Sequence, residues 1–232
     1  MPTVPDRAAS RALNRELALR LKCALPVERY PLRRADAGQV LHTAGDALTH
    51  LPIIETGCIE ATHYVGDEGH CIIPITFNAG EVAFLSALFS SAPIKVDLVV
   101  AEAMRAHWVP IRELEECLLN SPEIMVLTLR FLAQRLREVQ ARERDWMERG
   151  THARVCAAIS RIVGETEPHA DGRVVIAATH ERLAARCGVS RPKLSRELKQ
   201  LERSGRLKLL RGSVEVLDPG SFAASRRSGQ GS

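Results

Sequence analysis

Residues 179–218 read "THERLAARCGVSRPKLSRELKQLERSGRLKLLRGSVEVLD". Thr179 is placed to cap a first helix in which Leu183, Ala184 and Cys187 face inward. Gly188 supplies a tight turn, Ser190 is the next cap, and a second helix runs to Gly205. At about 100° per residue, Leu194, Leu198 and Leu201 share one side of that helix. Pro192, Arg196, Lys199 and Arg203 lie near the opposite pole, flanked by Arg191, Lys193 and Ser195. The segment "RLKLL-RG-SVEVLD" then reads as a hairpin closed by Arg211 and Gly212. Two short helices about a glycine turn, followed at once by a basic hairpin, make a winged helix-turn-helix. The second helix of that motif enters the major groove of DNA.

The chemistry agrees with the pattern. Leucines inward and cations outward let a helix dock on a polyanion, and arginine grips the O6/N7 edge of guanine with two hydrogen bonds. The candidate DNA contacts are Ser190, Arg191, Pro192, Lys193, Ser195, Arg196 and Lys199, with Arg211, beside Lys208, on the hairpin. A proline in the first turn removes an N–H that has no helical partner anyway, and the Ser190 oxygen is expected to accept from the Lys193 N–H. The residue before a proline avoids helical dihedrals, so Arg191 is an alternative boundary. Charge is uneven. Residues 151–232 hold 15 Lys/Arg against 8 Asp/Glu, a net +7, whereas residues 1–150 hold 17 against 20, a net −3. A basic final third on a slightly acidic body fits a nucleic-acid module attached to something else.

Upstream the texture changes. Residues 1–24 form a polar amphipathic helix with Leu13, Leu17 and Leu21 at four-residue spacing. From about 25 to 110, short apolar runs alternate with turn residues: "QVLHTAGD", "LPIIETGCIEATHYVGDEGHCIIPITFNAGEVAFL", "IKVDLVVAEA" and "MRAHWVPI". This argues for an all-β sandwich or roll, with its clearest hairpin turning at 66–69. Residues 121–149 read as a long helix, with Ser121 as cap, Pro122 in the first turn and Gly150 at the exit. Met125, Leu132, Val139 and Trp146 recur every seven residues, interleaved with Leu129, Leu136 and Glu143. That is a two-helix dimer seam broken once by Glu143. The alternative is a helix packed on its own domain, since Ile124, Leu127 and Phe131 widen the stripe; the polar sequence beyond 137 favours the seam. Residues 151–167 form another helix, and "PHADGRVVIAA" a turn and short strand. The segmentation is therefore 1–24 helical extension, 25–120 β-roll, 121–149 dimerisation helix, 150–220 winged helix and 221–232 a disordered basic tail.

Composition excludes several classes. Apolar residues make up 45% and charged residues 26%, as in soluble globular proteins. No apolar run approaches the roughly 18 residues of a membrane span. The N-terminus lacks a secretory pattern, so the cytoplasm is the expected compartment. Six cysteines are scattered without a C-x-x-C pair, which reads as isolated thiols. In the β hairpin, pairing 65 with 70 puts Cys58 and Cys71 about 20 Å apart, too far to share a metal. His63 and His70 come out as diagonal neighbours about 7–8 Å apart, a span that a shared ligand just bridges. Surface or core-edge histidines are the simpler reading, and no metal site is assigned.

From residue 25 to about 220 the chain resembles the cyclic-AMP receptor protein and fumarate-nitrate regulator (Crp/Fnr) family of bacterial transcription factors. Residues 179–218 carry the resemblance, supported by "VLHTAGDALTHLPIIETGCIE" around Gly57 and by "NAGEVAFLSALF". The resemblance implies an α+β chain with an N-terminal cyclic-nucleotide-binding-like β-roll (jelly roll), a long dimerisation helix and a C-terminal winged helix-turn-helix. It also implies a homodimer whose partners are double-stranded DNA and RNA polymerase.

The chain departs from the family where an effector binds. Cyclic-nucleotide-binding members carry a second glutamate for the ribose, then an arginine and a Ser/Thr for the phosphate. Setting Gly80, Glu81, Leu88 and Phe89 on the motif places Leu85, Lys95 and Val96 at those positions. Leucine cannot accept from a ribose hydroxyl, and lysine lacks the bidentate fork. Glu81, Leu85, Lys95 and Val96 therefore line a degenerate pocket, and cyclic AMP is not the expected ligand. No iron–sulfur cluster is expected either, since only Cys23 lies near the N-terminus. Many members also carry a base-reading glutamate where Pro192 stands, which shifts the readout here to Arg196 with Arg191 and Lys193. The leading reading is a dimeric regulator answering a signal other than cyclic AMP. Its rivals are a regulator that needs no effector and a cupin-like metal enzyme.

Overall fold

The computed structural model describes residues 7–65, 70–90, 92–148, 150–166, 168–169 and 173–224. The chain divides into two compact units, Met1–His63 with Ile73–Glu138 and Tyr64–Ile72 with Val139–Ser232. No described helix is long and apolar enough to cross a membrane.

In the first unit, helix α1 (Arg7–Ala24) precedes strands β1 (Leu32–Ala35), β2 (Val40–His42), β3 (His50–Val65), β4 (His70–Asn78) and β5 (Asp97–Pro110). The sheet runs in the order β1-β5-β3-β4, with β2 also on β5. The sheet curls because β3 is irregular against β5, with register shifts between Ile54 and Ile59. Gly57 sits in this stretch at φ 81°, and a Cβ there would lie 2.3 Å from the Ala103 carbonyl oxygen, so no other residue fits. These bulges correct the sequence reading. "IKVDLVVAEA" and "MRAHWVPI" are not separate strands but parts of the single β5, and β3 begins at His50. The hairpin turn 66–69 and the His70 side chain lie outside the described residues.

Helix α1 turns Ser10, Asn14, Leu17, Ala18 and Leu21 into the unit. Burying each leucine contributes about 1.5–3 kcal/mol. Helix α2 (Ile111–Asn120), absent from the sequence reading, follows β5 directly and buries Leu114 and Leu118. Helix α3 spans Pro122–Glu148. Ile124 and Phe131 are buried in the core, and Met125, Leu127 and Leu132 pack against it. The expected seam is therefore split. Met125 and Leu132 face their own unit, whereas Val126, Leu129 and Leu136 are exposed. Val139 is half-buried, and the Trp146 side chain lies outside the described residues.

The second unit contains α4 (Thr151–Val163), β6 (Val174–Ile176), α5 (His180–Cys187), α6 (Arg191–Arg203), β7 (Leu207–Leu210), β8 (Ser213–Val216) and α7 (Pro219–Ala224). Its sheet order is β6-β8-β7. Val155, Ile159, Leu183, Leu194, Leu198, Val214 and Phe222 form the centre of its core. Three boundaries differ from expectation. Gly150 serves as N-cap of α4 rather than as the exit of α3. Helix α4 stops at Val163, four residues early, because Gly164 caps it and the Thr166 hydroxyl donates to the Ile162 carbonyl at 2.8 Å. The tail does not begin at 221, since Ser221 and Phe222 belong to α7 and Phe222 is fully buried.

Candidate DNA-binding surface

The helix-turn-helix is set by local backbone chemistry. The Thr179 side chain accepts the Arg182 N–H at 3.2 Å, satisfying one open donor at the start of α5. Gly188 adopts φ 65° and ends α5, and the Val189 N–H donates to the Ala184 carbonyl at 3.1 Å. Ser190 is the N-cap of α6 by backbone position, yet its side chain makes no capping hydrogen bond, contrary to expectation. Arg191 opens the helix with Pro192 in the first turn, so the boundary falls between Ser190 and Arg191. Leu194, Leu198 and Leu201 are buried, as their spacing requires.

The outward face is basic and unneutralised. Arg191, Lys193, Arg196, Lys199 and Arg203 are exposed, as are Lys208 and Arg211 on the β7–β8 wing. None of these seven takes part in an ion pair among the described residues. The carboxylates nearby are occupied. Glu197 on α6 turns to His152 of α4, with Oε2 at 2.7 Å from Nδ1. Glu202 accepts the Leu209 N–H at 2.8 Å, which ties the end of α6 to the wing. The wing tip is Arg211–Gly212, with Gly212 at φ 74°. Pro192 is exposed beside these cations.

Sequence reasoning missed three supports. The His180 Nδ1 lies 3.2 Å from the Ser195 hydroxyl and fixes that side chain on the outer part of α6. Arg206 binds Ser221 through Nε at 2.9 Å and Nη2 at 2.8 Å, and its guanidinium stacks 4.2 Å over the Phe222 ring. Arg206 also donates to the Cys156 sulfur at 3.7 Å, while the His152 Nε2 stands 3.6 Å away on its other side. Burial pushes the Cys156 thiol up despite the neighbouring Arg206, and it pushes Cys187 up to about 12. Both remain neutral thiols within the core.

Residues 153–224 match the Crp-like helix-turn-helix domain family. The chain therefore carries a Crp-like helix-turn-helix domain in its second unit. Its fold matches solved Crp/Fnr structures over most of its length. FixK2 from Bradyrhizobium japonicum superposes with a TM-score of 0.72 at 13% identity, over 84% of this chain and 96% of that one. The c-di-GMP-responsive global regulator CLP from Xanthomonas campestris gives 0.70 at 19%, over 82% and 95%. A Crp/Fnr-family transcriptional regulator from Thermus thermophilus gives 0.68 at 23%, over 85% and 99%. No match was found among curated proteins. A cupin-type enzyme would leave this helix-turn-helix domain unexplained.

The candidate effector residues lie in different surroundings among the described residues. Glu81 is buried and accepts from Arg11 Nε at 2.8 Å and from the Asn78 N–H at 2.9 Å. Leu85 is part of the hydrophobic core, Val96 packs against that core, and Lys95 is exposed. Neither Lys95 nor Val96 lines the small cavity beside Glu81.

Proposed function

We propose that the chain is a homodimeric, sequence-specific regulator that reads double-stranded DNA through α6 and the wing. The observation that carries this reading is the set of seven exposed, unpaired cations on α6 and the wing. Arg196 reads a base edge, Arg191 and Lys193 support it, and Ser190, Ser195, Lys199 and Arg211 hold the phosphates. Pro192 rests against an apolar base feature such as a thymine methyl. Dimerisation through α3 supplies the second α6 for a two-part operator, as the exposed Leu129 and Leu136 support. By the same family logic the regulator works in the cytoplasm and meets RNA polymerase at its promoters. The domain plan follows: extension 1–24, β-roll 25–120, dimer helix 121–149 and DNA module from 150.

Site selection with purified protein, followed by binding titrations at two salt concentrations, tests this reading. Arg196→Ala is expected to cost about 1–3 kcal/mol and to relax preference at one base pair per half-site. The selected half-site is expected to differ from the usual family sequence at the base read by the missing glutamate. Recovery of the usual sequence would refute the role given to Pro192.

Two readings of the effector side remain in play. One is a signal other than cyclic AMP entering a degenerate roll. The other is a regulator with no effector, and the engagement of Glu81 and Leu85 within the packed roll favours it.

A further inference from the structure

The segment Gly80–Val82 offers a buried carboxylate and a peptide group at the edge of the roll, and α1 has taken both. Arg11 Nε donates to Glu81 Oε1 at 2.8 Å, and that carboxylate is only 2% exposed. The Asn14 side chain pairs with the Val82 peptide in both directions, donating to its carbonyl at 3.1 Å and accepting its N–H at 2.9 Å. Gly80 takes φ 79°, and the Arg15 stem lies 3.6 Å from where a Cβ would stand. Leu17 and Leu21 continue the same face of α1 into the core, both fully buried. The cavity left between α1, β4 and α3 is about 20 Å³, lined by Ser10, Thr76, Phe77, Glu81, Phe131 and Arg135 among others. That is room for a single water, not for a nucleotide.

We propose that α1, through Arg11 and Asn14, permanently occupies the polar groups of Glu81 and Val82, so that the protein binds DNA without any small-molecule effector. This rests on the reading of the chain as a DNA-binding regulator. A ligand entering at Glu81 would have to displace the Arg11 guanidinium and the Asn14 clamp. Phe131 and Arg135 close the same cavity from α3, whose other face carries Leu129 and Leu136. The Arg11 and Asn14 side chains therefore pack this cavity against α3 without a ligand. Arg11 and Asn14 are positioning residues, and they touch no DNA.

The test uses full-length, extensively dialysed protein and a labelled operator fragment from site selection. Wild type and Arg11→Lys are expected to bind the operator without additive, and cyclic AMP or cyclic GMP to give no binding heat and no change in affinity. Arg11→Ala/Asn14→Ala is expected to keep its helical spectrum and lose about tenfold in operator affinity, a typical coupling size. Wild-type affinity in the folded double variant would overturn the proposal, as would nucleotide binding by wild type or loss of its operator binding on dialysis. If the double variant fails to fold, Asn14→Asp, which keeps the acceptor and loses the donor, takes its place in the same comparison. Wild type that selects no DNA sequence at all would instead refute the regulator reading.

Discussion

Thr179 and Ser190 stand at the same position on successive helices, yet only Thr179 caps through its side chain. Thr179→Ala is therefore expected to lower stability by about 1 kcal/mol, measured by urea unfolding. Ser190→Ala leaves stability within a few tenths, by the same rule, and weakens DNA binding instead. The hydroxyl left open at the start of α6, where the helix dipole favours anions, is suited to a phosphate. The cysteines obey an equally local logic. Cys23 is exposed, whereas Cys58, Cys156 and Cys187 are buried. Burial raises the Cys156 and Cys187 pKa values, so their thiolate, the reactive form, is scarce. Labelling native protein with a thiol reagent is expected to modify Cys23 first. Cys156 and Cys187 should follow only on unfolding, and fast native labelling at either would contradict their packing.

At the scale of elements, α3 shows how far periodicity reaches. A heptad count places Met125, Leu129, Leu132 and Leu136 on one seam, but the helix has two apolar faces. One lies on its own sheet through Ile124, Phe131, Met125 and Leu132. The other presents Leu129 at 57% and Leu136 at 59% exposure, more apolar surface than a lone helix usually leaves to water. Leu129→Glu/Leu136→Glu is thus expected to convert the proposed dimer to a folded monomer, read by light scattering. Retention of the dimer mass would move the interface elsewhere. The winged helix was legible because its signals are local: a cap, a glycine turn, a leucine stripe and a basic pole. The roll was legible only as β texture. Its bulges around Gly57 depend on the carbonyl of Ala103, dozens of residues away, which no window of sequence contains. Helix α7 was missed because six residues with one Phe carry no period; Phe222 is fixed by the core of its unit and by Arg206. Asn14 did leave a trace, as a polar residue on the Leu17–Leu21 face of an otherwise amphipathic helix.

At the scale of the whole molecule, the second unit holds a closed core of its own, from Val155 on α4 to Phe222 on α7. The Arg206 contacts to Ser221 and Phe222 close that core at its C-terminal end. A fragment covering 150–224 is therefore expected to fold alone and melt in one cooperative transition. A fragment cut at 218 loses α7 and its buried Phe222, and is expected to melt lower by more than about 10 °C, as removal of a large core side chain costs about 3–5 kcal/mol. The longer fragment keeps every cation of α6 and the wing, so its contact with one half-site is intact. What it lacks is the second copy that α3 is proposed to hold. Linking two modules multiplies affinity by about a hundredfold or more without a new contact. The fragment should thus bind a single half-site and a full operator with nearly equal, weak affinity, whereas the intact chain prefers the full operator by that factor. Equal preference in the intact protein would mean that it meets DNA as a monomer, and that the exposed leucines of α3 serve another partner.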